Sequence, residues 1–250
     1  MPSKRFANTV PSKGFGLPSK EFAAAIHGEE AATTLCPDAM ILDTHSHDIH
    51  RRNAIACVSP EEFAPEEGQY YCVGIHPWDS ENVSASALRL LHEAAAHPQV
   101  AAVGEAGIDK LKGASIEKQM EIFAMQAKIA SRLHKPLIVH AVKSLDEILA
   151  AKKRENPPVP WIWHGFRGNR HTAETLVKHG FLLSFGERFN AEAVVATPND
   201  ALLVETDMSQ LPIEKIIEKI ASAKGISPHA LTQIVASNLH TVMPPDIKNR

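Results

Sequence analysis

The sequence lacks long hydrophobic runs. No stretch approaches the roughly 18 uninterrupted apolar residues of a membrane-spanning helix, and the N-terminus lacks the apolar core of a signal peptide, so no membrane association is expected. Cysteine is scarce. Cys36, Cys57 and Cys72 are too few for a disulfide framework, and one must be odd, which reads as reduced thiols in a cytoplasmic protein. A basic excess is also missing. Lys plus Arg number 26 against 29 Asp plus Glu, a net charge of -3, which excludes a broad nucleic-acid-coating surface but not a small phosphate site. What is abundant is histidine, 14 in 250 residues. At that density a His-x-His pair arises by chance, so position decides which imidazoles carry chemistry.

With 44% hydrophobic and 22% charged residues, the chain can bury one sizeable core. Residues 1–39 stand apart through an imperfect repeat, Pro2-Ser3-Lys4-Arg5-Phe6, Pro11-Ser12-Lys13-Gly14-Phe15 and Pro18-Ser19-Lys20-Glu21-Phe22. They read as a flexible N-terminal extension, and residues 40–250 as one domain. Eight short apolar runs, at 40–43, 54–58, 70–75, 100–104, 136–139, 161–163, 181–185 and 202–204, are nearly continuous in apolar character. Such runs suit strands of a parallel sheet buried on both faces. The later runs are separated by helical segments. One spans 115–134, with Ile116, Met120, Phe123, Ala127 and Ala130 near a 3.6-residue period. A second opens at a capping box, Ser144-Leu145-Asp146-Glu147, and another at Ser227-Pro228. The expected fold is therefore α/β, a TIM-type (β/α) barrel. Its first third is expected to be distorted or shortened, because residues 46–53 and 59–69 are too short for ordinary crossovers. The helices after the first two strands should be missing, and the 54–58 run should pair irregularly or antiparallel.

Most runs end in chemically active residues: His45 and His47, His76, Glu105, His140, His164, then Glu205 and Asp207. Strand C-terminal ends of a parallel barrel share one mouth, and residues two apart share a face. Unpaired in one pocket, four imidazoles (His45, His47, His140, His164) and two carboxylates (Glu105, Asp207) would carry a heavy desolvation cost. Grouped His and acidic residues are the usual mark of a metal site. Nitrogen and oxygen donors without thiolate suit zinc, manganese, iron or magnesium. Six donors exceed the need of one tetrahedral ion, so two divalent ions sharing a carboxylate are expected.

In order, Asp43-Thr44-His45-Ser46-His47, Gly74-Ile75-His76-Pro77-Trp78, Gly104-Glu105-Ala106-Gly107-Ile108-Asp109, Pro136-Leu137-Ile138-Val139-His140, His164-Gly165-Phe166 and Leu203-Val204-Glu205-Thr206-Asp207 resemble the TatD-like metal-dependent hydrolases of the amidohydrolase superfamily. The resemblance covers about residues 40–243, with Asn238-Leu239 similar to the family's closing asparagine motif. It implies a TIM-barrel hydrolase with a binuclear site of Zn, Mg or Mn. His45 and His47 would bind one ion, His140 and His164 the second, and Glu105 would bridge them. Asp207 would bind metal and take the proton of the attacking water. His76 would stand near the scissile group and Glu205 would orient a ligand. Similar proteins are described as magnesium-dependent deoxyribonucleases acting from the 3′ end, so single-stranded DNA or another phosphodiester is the implied substrate. No obligate protein partner is implied.

The departures from the family pattern lie at the substrate surface. Lys110 stands where an aromatic residue is usual, and the arginine commonly found two residues past the histidine is missing after His140, where Lys143 could substitute as a point charge and not a bidentate fork. Met208-Ser209-Gln210 replaces a stretch bearing proline and tyrosine. Arg167 is a second candidate phosphate contact. Trp78, Trp161 and Trp163 could stack on a base, although core packing suits Trp161 and Trp163 better. Two alternatives remain: hydrolysis of an amide, ester or lactone by the same metal-water chemistry, and a non-catalytic metal-binding barrel.

Overall fold

The structure, a computed structural model, describes residues 41–248. The extension expected over residues 1–39, its repeat and Cys36 lie outside the described residues. Eight strands, β1 (Asp43–Ser46), β2 (Ala54–Val58), β3 (Tyr70–Val73), β4 (Val100–Asp109), β5 (Leu137–Val142), β6 (Trp161–Trp163), β7 (Phe181–Phe185) and β8 (Leu202–Val204), pair in sequence order. All seven pairings are parallel. The barrel closes just beyond β8. The His47 N–H donates to the Asp207 carbonyl (3.1 Å), and the Asp207 N–H donates to the His45 carbonyl (2.9 Å).

The helices are α1 (Ala85–Ala95), α2 (Ile116–Arg132), α3 (Leu145–Glu155), α4 (Arg170–Lys178), α5 (Ala191–Ala196), α6 (Ile213–Lys224), α7 (Pro228–Val242) and α8 (Pro245–Lys248). Their apolar stripes pack on the outer sheet face in one large core that includes Leu91, Phe123, Ile148, Leu176, Ile216 and Leu231. A smaller cluster unites Ile55, Cys57, Cys72, Ile138, Ile162 and Leu203 with Leu239 and Val242 of α7. Each such aliphatic side chain, fully buried, contributes about 1.5–3 kcal/mol. Asn238 ties α7 to the start of β8 by donating to the carbonyls of Asn199 (2.6 Å) and Leu202 (2.8 Å). This gives the asparagine of the closing motif a structural part.

The shortened first third is found. No helix occupies residues 47–53 or 59–69, and the first α-helix follows β3. The possibility of antiparallel pairing is corrected, since β2 runs parallel to both neighbours; its irregularity is a register shift against β1. Strands this short, at about 3.3 Å per residue, can be crossed by a few extended residues. β4 also runs further than expected, to Asp109, so Glu105 lies within the strand. It continues because Ala106 and Ile108 are fully buried and Gly107 lets β5 approach. A Cβ on Gly107 would land on the His140 carbonyl. The capping box at Ser144 is corrected too. Its hydroxyl donates to the Ile108 carbonyl (2.7 Å) and makes no cap bond, while Glu147 is drawn to Lys110 (2.7 Å). Ser115 and Ser227 do cap, accepting from the N–H groups of Lys118 and Ala230.

Candidate metal centre

Glu105 is the hub. It is 6% exposed, and five imidazoles point at its carboxylate. Oε1 lies 3.3 Å from His76 Nε2, 2.5 Å from His140 Nδ1 and 2.7 Å from His164 Nε2; Oε2 lies 3.2 Å from His45 Nε2 and 3.4 Å from His47 Nε2. Asp207 Oδ1 stands 3.8 Å from His45 Nε2 and 3.7 Å from His47 Nε2. All six expected donors therefore converge, from β1, β4, β5 and the ends of β6 and β8. His47, Glu105, His140, His164 and Asp207 line a cavity of about 870 Å³, with His45 buried behind them. Lys143 and Arg167, the expected substrate contacts, are both exposed and both line it. Lys143 adopts a left-handed backbone (φ 55°), a sparsely populated state for a side chain of this kind.

Two buried glutamines, which sequence reading passed over, position the β3 and β4 ends. Gln119 and Gln126 are seven residues apart and share a face of α2. Gln126 accepts from the Ile75 N–H (2.8 Å) and donates to the Ile75 carbonyl (2.9 Å), fixing the backbone before His76. Gln119 treats the Asp109 backbone in the same way (2.8 and 3.0 Å). A polar residue on a buried helix face was the available signal.

The hydrogen bonds behind each imidazole sort the rings. His164 has Nδ1 at Glu205 Oε1 (3.3 Å), and His140 has Nε2 at Asp109 Oδ2 (3.4 Å). Each outer nitrogen then carries the proton, and the inner nitrogen offers a lone pair, the usual arrangement of a histidine ligand. Those inner nitrogens lie 3.3 Å apart and beside Glu105; lone pairs so close are satisfied by a shared cation, or by a proton when no metal is bound. Among the described residues, neither ring nitrogen of the fully buried His45 makes a well-formed hydrogen bond, although Nε2 lies 3.2 Å from Glu105 Oε2. A divalent cation fits this donor set. His76 differs. Its Nδ1 accepts from the Trp78 N–H (3.2 Å), so its neutral ring presents an Nε2 proton to the centre. Three donor groupings have ligand atoms within 4.8 Å of one another: His45, His47 and Glu105; His45, His164 and Asp207; His76, Glu105 and His140. The tautomer argument weighs against His76 as a ligand in the third.

Burial opposes a charge on Glu105, but His164 and His45 outweigh it and hold the carboxyl well below the usual range. Burial likewise opposes a cation on His164, yet Glu105 and Glu205 raise it well above an ordinary imidazole. Asp43, which has no separate role in the sequence reading, accepts from Thr206 N–H (2.9 Å), Thr206 Oγ1 (2.6 Å) and His45 N–H (3.3 Å), locking β1 to the end of β8. Burial pushes its carboxyl up to about 7 despite these bonds. A carboxyl raised above its unfolded value stabilises the fold fully below about pH 4, and that contribution is lost as pH rises through 7. Asp43→Asn should remove this dependence, because the Thr206 hydroxyl can reverse and still donate to Ser46 Oγ at 3.0 Å. Urea unfolding of metal-free protein should show wild type losing on the order of 3–4 kcal/mol relative to the variant between pH 4 and 7. Parallel pH profiles would show that Asp43 is not the titrating group.

A parallel barrel with a histidine–carboxylate centre at its strand ends has the layout of a metal-dependent hydrolase. The chain belongs to the TatD related DNase family, whose sequence pattern matches residues 60–244. It is 29% identical over 191 residues to "Uncharacterized metal-dependent hydrolase YabD" of Bacillus subtilis (strain 168), covering 68% of this chain and 75% of that protein. It is 36% identical over 155 residues to "Uncharacterized metal-dependent hydrolase TatD" of Mycobacterium tuberculosis, covering 57% of this chain and 59% of the relative, less than two thirds of its length. It is also 29% identical over 174 residues to "3'-5' ssDNA/RNA exonuclease TatD" of Escherichia coli (strain K12), covering 64% and 67%. The crystal structure of the TatD homolog YjjV from E. coli matches with a TM-score of 0.72 at 22% identity, over 82% of this chain and 98% of that one. The protein is thus a TatD-family metal-dependent hydrolase with a TIM-barrel fold. Among the described residues no helix is long and apolar enough to cross a membrane.

Proposed function

We propose that the protein hydrolyses phosphodiester bonds of single-stranded nucleic acid, in the manner of a 3′-5′ exonuclease. The observation that carries this reading is the ring of imidazoles around Glu105 at the floor of a cavity whose mouth bears Lys143 and Arg167. The named activity of the E. coli relative supports it. His45 and His47 would hold one divalent ion, His140 and His164 a second, with Glu105 between them and Asp207 completing the set. Bound there, such ions polarise water and phosphate oxygens at neutral pH.

The protein's own groups supply the rest. The Asp207 carboxylate, a quarter exposed at the cavity floor, takes the proton of the attacking water. His76 holds its Nε2 proton ready for an oxygen of the scissile group. Glu205, fully buried, accepts from the Gly165 N–H (2.7 Å) and fixes the His164 ring. Lys143 and Arg167 neutralise the phosphate. The net charge of -3 does not oppose this, because bound cations reverse the local sign. A carboxylic ester or lactone is the second reading, favoured by Glu62 and Asp79 lining the same cavity, which would repel a polyanion. Protein loaded with Mg, Mn or Zn should release mononucleotides from single-stranded DNA and leave carboxylic esters nearly untouched. Ester hydrolysis without nucleotide release, across neutral pH, overturns the first reading in favour of the second.

A further inference from the structure

One wall of the cavity is an indole. Trp78 lies in the short helical turn that follows His76 and is 48% exposed, although it lines the cavity. A large aromatic residue left open beside a reaction centre is an unfilled contact. Its polar edge needs nothing from a ligand, because Nε1 donates to Asp109 Oδ2 at 2.6 Å. Against the cost of burial, bonds from Trp78, the Leu111 N–H and His140 hold that carboxyl below its usual range, so it accepts as an anion. The Lys112 ammonium sits 3.7 Å from the ring centroid, a cation–π contact that covers part of the indole. Edge-on contacts to the rings of His76 (4.8 Å) and His140 (6.2 Å) complete the mounting. What is left to offer is a rigid π surface one ring away from the donors. Met208, 70% exposed, lines the same cavity.

We infer that Trp78 is a base platform. The heteroaromatic base of the nucleotide being cut stacks on the indole, which makes a base-bearing strand the preferred substrate over a bare sugar-phosphate chain. This rests on the phosphodiesterase reading of the centre. Stacking is tolerant of base identity and needs no hydrogen-bond code, so the preference is for having a base and not for which base. A pre-fixed ring also loses little freedom on binding.

The test compares kcat/KM for a single-stranded oligodeoxynucleotide and for a fully abasic strand of the same length, both with Mg-loaded protein. Wild type should prefer the base-bearing strand by about 10-fold or more. Trp78→Ala should bring the ratio close to one, and Trp78→Phe should recover part of it. The ratio cancels any effect that losing the indole has on His140 through Asp109. A second readout needs no turnover. Deoxyadenosine 5′-monophosphate should quench tryptophan fluorescence of metal-stripped wild type, and much less so in Trp78→Ala, where Trp161 and Trp163 remain. Strand cleavage with no base preference, or a preference that survives Trp78→Ala, overturns the platform and leaves the phosphodiesterase reading standing. Quenching that depends on Trp78, with no strand cut under any metal, supports the platform and overturns that reading.

Discussion

Asp207→Asn should lower kcat at least 100-fold, and on the order of 1,000-fold if the side chain acts both as ligand and as proton acceptor, with the fold unchanged. The backbone makes this substitution clean. Asp207 sits at φ 53°, a left-handed conformation that Asn tolerates and that β-branched residues do not. Its main-chain bonds to His45 and His47, which close the barrel, do not involve the side chain. The amide keeps the shape of the carboxylate but cannot accept the proton of a water molecule. Circular dichroism and melting temperature should match wild type while turnover collapses. Unchanged turnover would remove Asp207 from the chemistry.

Much of this was legible in sequence, and for a physical reason. Parallel strands announce themselves as apolar runs, and a parallel barrel gathers the ends of those runs at one mouth. His45, His47, His76, Glu105, His140, His164 and Asp207 could therefore be grouped from sequence; in the structure the five imidazoles meet around Glu105, and Asp207 stands beside His45 and His47. What was not legible depends on pairing partners. The apolar run at 100–104 stops at a charged residue, but β4 continues to Asp109 because β5 covers it and Gly107 lets the backbones meet. Ser144 has the spacing of a cap, yet the Ile108 carbonyl, distant in sequence, takes its hydroxyl. Gln119 and Gln126 read as polar interruptions of an amphipathic helix until the strand ends they clamp are in place. The direction of β2 could not be read from the length of its connections alone. The roles of individual imidazoles rest on which carboxylate lies behind each ring, Asp109 for His140 and Glu205 for His164, and no local pattern encodes that.

The second large effect is expected at Glu105. Five imidazoles lie within 3.4 Å of its oxygens, so this carboxylate is the group that the imidazole donors share. Glu105→Gln removes the negative charge and places an amide N–H₂ where ring nitrogens or a cation must be met. If Glu105 bridges two ions as proposed, its loss would cost more than the roughly 10–100-fold in affinity typical of an outer partner, so activity should fall by about 1,000-fold or more. The stripped variant should still fold, because the two hydrophobic clusters do not depend on the centre. Glu105 therefore offers the most direct measurement of the metal centre: elemental analysis of wild type and Glu105→Gln, both reloaded with Mn and passed through the same desalting column. Wild type should retain two ions per chain, and the variant less than a tenth of that. Equal metal content in the two proteins would contradict a centre built on Glu105.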